Sequence, residues 1–92
     1  MDKILLITTE NCAGCNVAIR NINAALRETR KKVKLEIRDF SKVDKAYIKR
    51  HKIKDFPVTC FIRNNNTRFI DKGSKPIIFY LRYIDVYFKG TE

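Results

Sequence analysis

Two cysteines set two residues apart, Cys12-Ala13-Gly14-Cys15, are the part of this sequence best suited to chemistry. A thiolate is a nucleophile and a soft metal ligand, and two thiols at this spacing can bond to each other within one helical turn. The pattern admits reversible disulfide exchange or half of a zinc site. Zinc wants four ligands, and only Cys60 and His51 are left to complete them. Three cysteines is an odd count, which argues against a structural disulfide framework. The N-terminal apolar run, Ile4 to Ile7, is shorter than the roughly 7 residues of a secretory h-region. The expectation is a reducing, cytoplasmic setting in which a close pair is catalytic or metal-binding.

The elements around the pair follow from hydrophobic period. Lys3 to Thr8 is an apolar run of strand length, as a strand near the middle of a sheet would be. From Ala13 to about Arg30 the period becomes helical, with Cys15, Ile19, Ile22 and Leu26 on one face. Asn11 is placed to cap that helix, and its N-terminus falls at the cysteines. Val33 to Arg38 alternates apolar and charged, a half-buried strand. Asp44 to His51 reads as a short basic helix with Tyr47 and Ile48 inward and His51 exposed. Pro57 opens an apolar strand, Val58 to Ile62; Asn64-Asn65-Asn66 turns it into a hairpin returning over Thr67 to Ile70. After Gly73, with Ser74 as cap, Lys75 to Phe88 is a last helix with Ile77, Leu81, Ile84 and Phe88 inward. The order is β-α-β-α-β-β-α, an α/β fold. The long helix between the first two strands predicts that they are parallel neighbours.

The 92 residues form one domain, 1–92, with no repeat or linker. An apolar fraction of 45% can fill a core, while no run approaches the roughly 20 apolar residues of a bilayer span. That excludes a helical membrane protein. Twenty Lys and Arg against ten Asp and Glu give +10, which bears on partners and solubility.

A Cys-x-x-Cys between a first strand and a helix, in this element order, resembles the thioredoxin/glutaredoxin family. Tyr47 through Pro57 is similar to the family's helix leading into a cis-proline strand, and Val58 to Asn65 to the strand and turn after it. The resemblance covers essentially the whole chain, in the minimal form that starts at the strand before the cysteines. It implies a four-stranded mixed sheet flanked by helices, with the third strand antiparallel to the first on its other side. It also implies a cis bond before Pro57; the sequence alone would leave that bond trans. Phe56 would then offer backbone groups to an extended substrate, beside Ala13 and Gly14. Departures are Asn11 before the first cysteine, Ala13-Gly14 between the cysteines, and a first strand without a buried acid. Thr9 in place of a lysine, and Asp71-Lys72-Gly73-Ser74 before the last helix, argue against glutathione as co-substrate.

The expected function is a thiol–disulfide oxidoreductase acting on protein disulfides, with Cys12 as exposed nucleophile and Cys15 as buried resolving thiol. It needs no cofactor beyond this pair, no metal, and a separate reductase. The alternative is a binding module of the same fold whose cysteines are incidental. Lys42, Lys45, Lys49, Arg50, Lys52 and Lys54 would then hold an acidic protein or nucleic acid, or form only a solvated face. No aromatic stripe is interleaved with them, which disfavours nucleic acid. Tyr80, Tyr83 and Tyr87 flank the last helix's inner stripe, as a wide core contact or a partner surface. Cys60, within an apolar strand, is expected to be a packed small hydrophobe. Abundant Lys, Ile and Asn hint at an AT-rich genome such as a bacteriophage's, which would place the protein in a host cytoplasm.

Overall fold

The computed structural model describes residues 1–91. The first apolar run is strand β1 (Asp2–Thr8), with Ile4, Leu6 and Ile7 fully buried. It can be apolar on both faces because it is interior to the sheet. Strand β2 (Lys34–Asp39) lies parallel to it on one side, and β3 (Val58–Arg63) antiparallel on the other. Strand β4 (Asn66–Lys72) closes a hairpin with β3, giving the order β2-β1-β3-β4. Asn64 and Asn65 make that turn with φ of 52° and 66°, which asparagine tolerates better than most residues. The mixed sheet and its strand order are as expected from the sequence and the resemblance.

Helix α1 (Cys15–Thr29) is the crossover between β1 and β2, and α3 (Ile77–Tyr87) packs beside it on the same face. The buried residues of α1 are Cys15, Ala18, Ile22 and Ala25, whereas Ile19 and Leu26 are half-buried at the margin. The inner face is thus rotated from the expected one. Two alanines let the helix approach its neighbours closely, which larger side chains would prevent. The inward residues are Tyr80 and Ile84 in α3 and Phe88 at its C-cap, while Leu81 is half-buried and Ile77 is exposed. Tyr80 tolerates full burial because its hydroxyl accepts the Lys75 backbone N–H at 3.0 Å. Burial raises its phenol pKa. Tyr83 and Tyr87 pack on Phe61 and Phe69, and the Tyr87 and Phe69 rings stack at 4.9 Å. The tyrosine row is therefore core contact, and Ser74 does not cap α3, whose first turn follows Pro76.

The opposite face holds a second cluster, including Leu5, Ile7, Val58, Cys60 and Ile62. Its lid is a 3₁₀ turn (Phe40–Lys42) and the six-residue α2 (Lys45–Arg50). Asp44 caps α2 by accepting the Ala46 N–H at 3.2 Å. Tyr47 and Ile48 face inward as expected, but His51 is half-buried, its ring 4.4 Å from that of Tyr47. Cys60 is fully buried, and burial pushes its thiol up to about 11. Among the described residues no helix is long and apolar enough to cross a membrane.

Candidate active site

At the C-terminal end of β1 the chain turns sharply. Asn11 has φ 56°, so it serves the turn and not as the helix cap; Gly14 occupies the cap position without a side-chain bond. The Cys15 N–H donates to the Cys12 carbonyl at 3.3 Å, and the Ala18 N–H to the Gly14 carbonyl at 2.9 Å. Cys12 is consequently placed just ahead of the helix and Cys15 at its first residue. The two sulfurs are bonded, with S–S 2.08 Å and Cα–Cα 5.4 Å. The pair is asymmetric: Cys12 is half-buried, while Cys15 retains 6% exposure.

Two further loops meet this turn. The Phe56–Pro57 peptide bond is cis, as the resemblance implied. Pro57 is buried against Gly14: a Cβ added at Gly14 would lie 3.3 Å from Pro57 Cδ and 3.4 Å from Ser74 Oγ. The Gly73 N–H donates to the Pro57 carbonyl at 2.7 Å, tying the β4–α3 loop to the proline loop. Gly73 has φ 76°, a conformation that favours glycine. Ser74, assigned a capping role from sequence, thus belongs to the surroundings of the cysteine turn. The only sequence signal for this was the turn Asp71-Lys72-Gly73-Ser74.

An open cleft beside the disulfide is lined by Cys12, Ala13, Cys15, Ile19 and Ile37. Ile37 keeps 48% of its surface exposed, unlike the half-buried apolar position read from strand alternation. Strand β2 is an edge, and Ile37 faces the open cleft beside the first turns of α1, so its side chain is left partly in water. Phe40, read from sequence only as loop, packs edge-on against Phe56 with ring centroids 5.1 Å apart. Glu10 is exposed next to the turn. Cys12, Ala13, Gly14, Cys15 and Pro57 come together at this end of the sheet, with Phe56 at the margin. Cys60 and His51 do not join them. They belong to the face under α2, opposite the face that α1 covers. Among the described residues no three His, Cys, Asp or Glu side chains are grouped to hold a metal.

Comparison with solved structures shows the same fold in thioredoxins. The chain superposes on thioredoxin-2 of a malaria parasite, described as a component of its protein secretion machinery, with TM-score 0.76 and 13% identity over 94% of this chain and 82% of that one. A second malarial protein gives TM-score 0.75 and 13% identity over 95% and 97% of the two chains. Thioredoxin f2 of Chlamydomonas reinhardtii gives 0.73 and 18% over 92% and 77%. No protein-family model and no curated protein matches the sequence. The likeness is one of fold: the chain is a thioredoxin-fold protein carrying a Cys-x-x-Cys pair at the start of its first helix.

Proposed function

We propose that this protein is a thiol–disulfide oxidoreductase for protein disulfides. The observation that carries the reading is the asymmetry of the pair, an accessible Cys12 ahead of a helix and a buried Cys15 within it, beside a cis-proline loop. In the reduced protein, the unpaired N–H groups and partial positive charge at the start of α1 favour a thiolate at Cys12. That thiolate attacks one sulfur of a substrate disulfide. A mixed disulfide forms, and the other substrate sulfur leaves and takes up a proton. Cys15 loses its proton and attacks Cys12 Sγ. The Cys12–Cys15 bond forms, and the second substrate thiol departs and is protonated. The substrate has gained two electrons and two protons, and the protein dithiol has lost them. A dithiol-donating reductase returns them, and no other cofactor enters. Phe56 backbone groups align an extended substrate strand, while the Pro57 carbonyl is already engaged by Gly73.

Reduction of insulin by the protein, with dithiothreitol as donor, tests the reading. Cys12→Ser is expected to lower the rate to that of dithiothreitol alone. Cys15→Ser should accumulate a mixed disulfide on Cys12, visible by mass. Brief iodoacetamide treatment of the reduced protein should label Cys12 well ahead of Cys15 and Cys60. Unchanged insulin reduction by Cys12→Ser, or fastest labelling at Cys60, overturns the assignment.

A further inference from the structure

Between the 3₁₀ turn and α2 lies a cleft of about 240 Å³, lined by Phe40, Val43 and Ile48 with Lys45 and Lys49 at its rim. Phe40 leaves 40% of its surface in water, although a large aromatic beside a core cluster could be covered. Its ring meets that of Phe56, the residue before the cis-proline, so one wall of the cleft touches the cis-proline loop. The charge around it is strongly positive, offset mainly by Asp39 beside Lys42. Residues 40–54 hold six Lys and Arg against one carboxylate, Asp44, which is committed to capping α2. All six cations are exposed, and among the described residues none forms an ion pair.

We propose that this cleft docks an acidic protein segment, seating one apolar side chain against Phe40, Val43 and Ile48 while carboxylates meet Lys45 and Lys49. This rests on the disulfide-exchange reading for its purpose: the docked segment presents its disulfide to Cys12. Charge complementarity selects the occupant. Apolar contact fixes its register, and long-range attraction raises the association rate.

The test separates docking from chemistry by using a cysteine-free probe and the oxidised protein. A fluorescein-labelled peptide of Glu and Asp around one Leu is titrated by anisotropy against a Gln/Asn counterpart. The acidic peptide should bind about tenfold more tightly at low salt. Its preference should shrink as salt rises from about 0.1 M to about 1 M, where the Debye length falls to about 3 Å. Lys45→Gln/Lys49→Gln should abolish the preference, and Lys45→Glu/Lys49→Glu should reverse it toward a Lys-rich peptide. Phe40→Ser should weaken the acidic peptide at high salt as well, because that contact is apolar. Equal affinity for the two peptides, or indifference to these substitutions in protein with unchanged circular dichroism, overturns the proposal. Tighter binding of a single-stranded oligonucleotide of equal charge that displaces the peptide overturns the choice of occupant. Failure of insulin reduction with peptide binding intact would remove the exchange reading and leave the dock standing.

Discussion

The two faces of the sheet are built differently. Under α1 and α3, Ile4, Leu6, Phe61, Tyr80, Ile84 and Phe88 are fully buried, and Phe61 alone meets four aromatic rings. Under α2 the buried residues are smaller, and their lid is a six-residue helix with an exposed Phe40 and a row of unpaired cations. Aliphatic and aromatic burial is the main stabilising term in a domain of this size. One face therefore carries most of the fold's stability, and the other is left free to vary in charge and shape. The disulfide stands at the end of the sheet where both faces meet, held by α1 from the thick side and reached through Phe56 from the thin side.

The largest effect expected from this contrast is in the core. Phe61→Ala should cost about 3–5 kcal/mol in urea unfolding, since it leaves a cavity among close-packed rings. Phe40→Ser, an aromatic of equal size, should cost within about 1 kcal/mol. Similar losses for the two would mean that the thin face is as structural as the thick one.

The next effect is a pH dependence that begins on the thin face. Burial raises the Cys60 thiol from 9.0 to about 11. The neutral thiol is the buried form, so its contribution is fully present below about pH 9, where both states are protonated. Between about pH 9 and 11 the unfolded chain releases this proton and the folded chain does not. Stability should fall there by about 3 kcal/mol and then level off for this group. Tyr47 and Tyr80, whose phenols burial also raises, extend the fall to higher pH. Chemical unfolding of the oxidised protein, in which Cys12 and Cys15 do not titrate, measures this slope. Cys60→Ala should flatten it between pH 9 and 10, and an unchanged slope would place the titration elsewhere.

A smaller effect is expected where the faces meet. Gly14→Ala puts at the helix cap a residue that this position disfavours, and its Cβ would lie 3.3 Å from the rigid Pro57 ring and 3.4 Å from Ser74. Pro57 is buried and tied to Gly73, so it yields poorly. A net loss of about 1 kcal/mol by thermal unfolding is expected, with slower insulin reduction. A gain in stability would show that the three loops are loosely packed.

The same division explains what the sequence discloses. Strand identity, the parallel pairing across the crossover helix and the cysteine pair are local or periodic signals and were legible; the place of β3 beside β1 came from the resemblance. Pro57 was legible as the start of a strand; its cis geometry came from the resemblance. What periodicity misses is how far one element extends over another. Ile37 alternates correctly but sits on an edge strand facing the open cleft beside α1, so it is half bare. Ile77 lies on the expected stripe but at the helix end, where Tyr80, with a hydroxyl that can be satisfied, takes the buried place. Ala18 and Ala25 are buried because they are small, a property of helix contact that a hydrophobic stripe does not encode. The place of Ser74 beside Gly14 depends on a loop contact between residues distant in sequence.

The smallest effect compares how helices end on the two faces. Arg30 after α1 and Lys52 after α2 both adopt left-handed backbone, with φ of 58° and 51°, and both are basic. Their N–H groups bond back to Leu26 and Lys49 carbonyls at 3.2 Å, so the geometry is fixed by the helix ends. A branched-off Cβ costs roughly 1 kcal/mol in this conformation, and glycine's larger unfolded-state entropy takes back part of that gain. Arg30→Gly and Lys52→Gly should each stabilise by about 0.5 kcal/mol at high salt, where only backbone strain remains. At low salt Lys52→Gly should gain further, because Lys49, Arg50 and Lys54 are its neighbours. Lys52→Gln isolates that part, since it keeps the side-chain length and the strained φ but removes the charge. Its gain should be a few tenths of a kcal/mol at low salt, roughly that of a single exposed charge contact, and should vanish at about 1 M. A gain by Lys52→Gln that persists at high salt would mean that the cations of the thin face do not repel one another. Their exposure would then carry no stored electrostatic cost for a docked acidic segment to relieve.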